Sequence, residues 1–107
     1  MKTILHEKLI RDKIPEIIEA SGKTPVVETL SSPDYIKMLN EKLQEEVSEY
    51  LDSESVEELA DIVEVLLAIL AYKSVSKEEF EKIRTDKRQK RGGFEKRLLL
   101  VEVQEED

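Results

Sequence analysis

The chain contains no cysteine, which excludes disulfides, a thiolate nucleophile and a thiolate metal site. Its single histidine, His6, cannot form a histidine metal cluster, so any metal it binds is held by oxygen. Tryptophan is absent and only two Phe and three Tyr are present, so the core is aliphatic. No run reaches the ~18 apolar residues of a membrane span, and the opening MKTIL is too short for the apolar core of a secretory signal. The expectation is a cytoplasmic protein without membrane contact. A net charge of −8 argues against general affinity for nucleic acid or anionic lipid.

What is present is Glu, Lys and aliphatic residue in quantity, with three Gly and three Pro, a helix-forming composition. A length of 107 residues predicts one domain, 1–107. Residues 1–10 read as an extended arm or short strand. A short helix starts near Pro15 and stops at Gly22. TPVVETL, residues 24–30, is a connector or short strand. Ser32-Pro33-Asp34 offers a cap, a proline for the first turn and an acid, and predicts a helix over about 33–51. A second start in residues 52–55 feeds a helix over about 54–72. Ser76 and Glu79 form a capping box for a third long helix, which ends near Gly92-Gly93. Residues 97–103 alternate weakly and predict a final strand pairing with the N-terminal arm. The fold class is therefore all-α, a bundle of antiparallel helices with short terminal extended segments.

Residues 45–61 carry eight carboxylates in seventeen positions, next to strongly apolar runs. At about 100° per residue, Ile36, Leu39, Leu43, Val47 and Tyr50 form one apolar stripe. Glu46 falls about 40° beyond its edge and Glu49 further round. Glu41 and Glu45 face solvent. On the next helix Glu58 lies about 40° from Ile62, with Asp61 flanking it. Two helices joined by a few residues pack antiparallel, which brings Glu46 and Glu49 toward Glu58 and Asp61. Four carboxylates beside a core repel each other and lose hydration. A hard dication such as Mg²⁺, with Mn²⁺ as a substitute, is their natural partner. The plainer readings are that Glu58 closes a capping box with Ser55, and that Glu46 and Glu49 reach past the core edge to water. The helix over 54–72 is apolar around more than half its circumference, which predicts a homodimer or higher homo-oligomer.

Glu45-Glu46-Val47-Ser48-Glu49 followed by Glu58-Leu59-Ala60-Asp61 resembles the acidic motif of the MazG-like all-α nucleoside triphosphate pyrophosphohydrolases. KLIRDKIPEII, KLQEEVSEY, EELADIVEVL and KRQKRGGFEKRLLL look like the phosphoribosyl-ATP-pyrophosphohydrolase-like, house-cleaning subgroup, and together span most of the chain. The resemblance implies Mg²⁺-dependent cleavage between the α and β phosphates of a small nucleotide, giving monophosphate and pyrophosphate. It implies Glu46, Glu49, Glu58 and Asp61 as metal ligands, with Glu45, Lys42 and Glu64 as supporting residues. A triphosphate also needs cationic side chains. Residues 82–97 hold eight of the seventeen Lys and Arg, and Lys87, Arg88, Lys90 and Arg91 are the first choice, Arg11 and Lys13 the second. Two other readings share parts of the pattern. One is the histidine-pathway enzyme that cleaves phosphoribosyl-ATP, which the RDKIP and RGGF blocks do not resemble. The other is a catalytically silent helical dimer serving as an interaction module. Tyr35, Tyr50, Tyr72, Phe80 and Phe94 are each suited to stacking on a base or to filling core.

Overall fold

Serine, proline and acid start helices close to where the sequence places them. In a computed structural model describing residues 2–106, four helices form among the described residues: α1 (Ile14–Ala20), α2 (Ser32–Ser53), α3 (Val56–Tyr72) and α4 (Lys77–Arg91). Met1 and Asp107, the ends of the single domain read from the sequence, lie outside them. No described residue is in a strand, so the chain is all-helical. None of these helices is long and apolar enough to cross a membrane. The chain divides into two compact units, residues 1–74 and 75–107.

In the first unit, the cap of α2 is Ser31 rather than Ser32. Ser31 is extended and its hydroxyl accepts from the Asp34 N–H at 3.4 Å. Either serine precedes Pro33 closely enough to cap, and Pro33 fits the second helical position as well as the first. α2 runs two residues past its expected end and stops at Glu54. That residue is left-handed (φ 54) and donates its N–H to the Tyr50 carbonyl at 2.6 Å. Ser55 then begins α3, but its side chain makes no capping bond, so the capping-box reading of Glu58 lacks its first half. α2 and α3 pack against each other.

The buried line of α2 keeps Leu39 of the predicted stripe but continues to Glu46 rather than to Val47. Leu39 is 3% exposed and Glu46 6%, whereas Val47 is 38% exposed. Seven residues return a helix to within about 20° of the starting direction, so Leu39 and Glu46 lie on one line. Glu58 and Val65, also seven apart, lie on one line of α3. Val65 is buried and Glu58 half-buried. The packed face takes in the acid at one edge, while Ile36, Leu43 and Tyr50 of the predicted stripe stay half-buried.

Residues 24–30 form no strand, and Val26 is almost fully exposed. In the second unit, Ser76 caps α4 by accepting from the Glu79 N–H at 3.1 Å. α4 ends at Gly92 (φ 84, ψ 178), a backbone region open essentially to glycine alone. The strand expected over 97–103 does not form. Leu98, Leu99, Leu100 and Val101 are all exposed, an unbroken apolar run rather than the alternation that commits a strand to one face.

Candidate metal centre

The Leu39–Glu46 line of α2 and the Glu58–Val65 line of α3 put carboxylates and core side chains at one junction. Glu46, Glu58 and Asp61 present oxygens within 4.8 Å of one another, as do Glu45, Glu46 and Glu49. The four ligands expected from the sequence therefore occur in two overlapping triads that share Glu46. Glu49 belongs with Glu45 and Glu46.

One oxygen each of Glu46 and Glu58 is buried and has no hydrogen-bond partner among the described residues. A buried charged acceptor left unmet is costly, and helix capping does not account for it. Oxygens around one Mg²⁺, each about 2.1 Å from the ion, lie up to about 4.2 Å apart. The Glu46–Glu58–Asp61 triad needs only small side-chain shifts to reach that spacing, so the residues present fit a hard dication.

Three cationic side chains meet these acids among the described residues. Lys42 Nζ lies 3.3 Å from both Glu45 Oε2 and Glu46 Oε1. Lys8 lies 3.5 Å from Glu45 Oε1, and the Arg11 guanidinium donates to Asp61 Oδ1 at 2.6 Å. Burial pushes the Glu46 carboxyl above the ordinary range; Lys42 opposes this and neighbouring Glu49 adds to it. Burial pulls the Lys42 ammonium down, but Glu45 and Glu46 together outweigh it and hold it above its usual value. Glu45 is thus half-buried and doubly paired rather than facing water as its position on the helix predicts. The lysines one turn back on α2 and on the arm reach over and cover it.

Glu46 and Asp61 line an open cleft of about 460 Å³, together with Arg11, Lys13, Lys42 and Glu64. Glu64 is exposed, as the helical positions predict. Tyr35 also lines the cleft and packs edge-on against Tyr72, ring centres 6.1 Å apart. Of the basic residues, it is the second choice, Arg11 and Lys13, that shares the cleft with the acids. Lys87, Arg88, Lys90 and Arg91 lie on α4 in the second unit, where Arg88 is paired with Glu95 at 2.6 Å. Phe94 is almost fully exposed there. Sequence reasoning missed Lys8 and Asp12, which sit beside Glu45 and in the cleft. The signal for both was the charged KLIRDK block that they flank and share with Arg11.

No family model matches the chain, and no solved structure matches it. A protein of Mycolicibacterium smegmatis (strain ATCC 700084 / mc(2)155), described as "Uncharacterized protein", is 57% identical to it over 42 residues. That stretch covers 39% of this chain and 43% of the relative, so the likeness extends over less than half of either.

Proposed function

We propose that the chain is a Mg²⁺-dependent nucleoside triphosphate pyrophosphohydrolase of the MazG-like kind, acting on non-standard nucleotides and releasing monophosphate and pyrophosphate. The observation that carries this reading is Glu46, 94% buried by its 6% exposure, with a free oxygen in a triad with Glu58 and Asp61. A cation there supplies charge neutralisation and a more acidic water.

The chain's own residues do the rest. Glu46, Glu58 and Asp61 would hold the ion, and Glu49 shares Glu46 with Glu45 in the adjoining triad. Lys42 fixes Glu46 and Glu45 in place. Arg11 and Lys13 bind the phosphate chain in the cleft, whose volume suits a small molecule. Tyr35 offers a ring against the base. A water attacks the α-phosphorus, the α–β bridging oxygen leaves with pyrophosphate, and the water's proton passes to solvent through the open cleft, while Glu45 and Lys42 hold Glu46 in position.

The link between α2 and α3, Glu54 and Ser55, is so short that packed helices fit an antiparallel pair. Assembly follows from exposure. Leu59 is 42% and Val63 50% exposed on α3, one turn apart, and a second copy is the partner that covers them. The decisive experiment is a Mg²⁺ titration of pyrophosphate release across ordinary and damaged nucleoside triphosphates, with products separated by chromatography. Monophosphate plus pyrophosphate supports the reading. Diphosphate plus orthophosphate overturns it, and no turnover of any nucleotide by metal-loaded protein points to the interaction module instead.

A further inference from the structure

Arg11 occupies a carboxylate that the metal reading needs. Its Nη2 donates to Asp61 Oδ1 at 2.6 Å, and this is its one side-chain hydrogen bond among the described residues. The pair is half-exposed on both sides, and ion pairs this exposed are weak. It also leaves the rest of the triad unmet, because Glu46 and Glu58 each keep a buried oxygen without a partner. Lys42 differs. It is mostly buried and held between Glu45 and Glu46, so it stays. The Arg11 carbonyl accepts from the Ile14 N–H at 3.1 Å, which ties the backbone to the start of α1 and lets the side chain pivot from a fixed point. Arg11 lines the same cleft as Lys13 and Glu46.

We propose that Arg11 is a displaceable counter-ion: it neutralises Asp61 until a divalent cation takes that carboxylate, and its guanidinium then turns to the phosphates of the substrate in the same cleft. This rests on the pyrophosphohydrolase reading and adds to it an order of events, metal before a full phosphate grip. A planar guanidinium suits the second task because it grips phosphate oxygens with two parallel N–H bonds, whereas an ammonium is a point charge.

The test is calorimetric titration of the full chain, first with Mg²⁺ alone and then with inorganic pyrophosphate at saturating Mg²⁺, in wild type, Arg11→Ala and Arg11→Lys. Arg11→Ala should bind Mg²⁺ about three- to fivefold more tightly, the size of effect that freeing an exposed ion pair allows. It should bind pyrophosphate at least tenfold more weakly. Arg11→Lys should keep a Mg²⁺ affinity near wild type and lose most of the pyrophosphate affinity. Arg11→Ala with equal or weaker Mg²⁺ binding, or with unchanged pyrophosphate binding, overturns the exchange while leaving the metal site standing. Wild type that takes up no Mg²⁺ removes the metal site and the exchange together.

Discussion

Replacing Glu46 by Gln separates what this residue costs the fold from what it does for the site. Without metal, Glu46 holds a charge in a buried position with one unmet oxygen. Such a group costs about 1–3 kcal/mol. The amide oxygen of Gln still accepts from Lys42, so this mostly buried contact is weakened by about 1 kcal/mol rather than lost, and Lys42 keeps Glu45 at 3.3 Å. The net effect at pH 8 is a gain of about 1 kcal/mol, or a melting temperature about 4–8 °C higher for a domain of this size. The size of this gain depends on pH. Burial raises the Glu46 carboxyl above its ordinary 4.5 in the folded state, so the folded chain keeps a proton that the unfolded chain has released. That contribution is fully present below the unfolded value and is lost as pH rises through the folded one. The advantage of Glu46→Gln should therefore be smallest near pH 4 and grow toward pH 8. Magnesium reverses the ranking. At a hundredfold excess over its dissociation constant it adds about 2.7 kcal/mol to wild type, roughly 10–20 °C, and little to the variant. The assay is thermal melting of both proteins at one protomer concentration, with Mg²⁺ and with chelator, at pH 4, 6 and 8. A variant that keeps the full Mg²⁺ shift, or that melts lower than wild type in chelator at pH 8, would refute this account of Glu46.

Glu49→Gln and Asp61→Asn should each abolish pyrophosphate release while circular dichroism stays unchanged, and Glu41→Gln, at an exposed position, should release it at close to the wild-type rate. Activity left in Asp61→Asn would take Asp61 out of the ligand set. Val63→Glu should split the oligomer, lowering the mass seen by light scattering at micromolar concentration. On a face that is truly solvent it would change stability by no more than about 0.5 kcal/mol, and an unchanged mass with unchanged melting would place the contact between copies elsewhere.

The helices were largely readable because their start signals are chemical and local. Ser76 caps α4 by accepting from the Glu79 N–H, the first half of the box its spacing predicts, and proline marks the first turn of both α1 and α2. The slip from Ser32 to Ser31 shows the limit of that reading, since two adjacent serines offer the same bond. The angular position of Glu46 was readable, but its burial was not. Helical periodicity ranks positions by hydropathy, and this helix packs along a line that includes an acid and leaves Val47 at the edge. Glu45 was misjudged for a different reason. Its exposure is set by Lys8 and Lys42, and an ion pair between an arm and a helix leaves no periodic trace. The tail misled because the weak alternation read over residues 97–103 breaks down at Leu98 to Val101, an unbroken apolar run that commits neither face to a core.

The turn after α2 has a consequence for how this chain can change length. Glu46 and Glu58 meet only because a left-handed Glu54 and an extended Ser55 close the gap between their helices. A residue added to the first turn of α3, ahead of Glu58, would rotate everything beyond it by about 100° and advance it by about 1.5 Å. Glu58 and Asp61 would swing off the line that faces Glu46, and Val65 would turn away from the cleft it lines with Leu39. The same addition between Gly22 and Leu30, where the backbone is irregular and mostly exposed, would change only the slack between α1 and α2. Growth and shrinkage are thus tolerable in the slack before α2, while the hairpin that follows behaves as a ruler whose graduations are the ligands themselves.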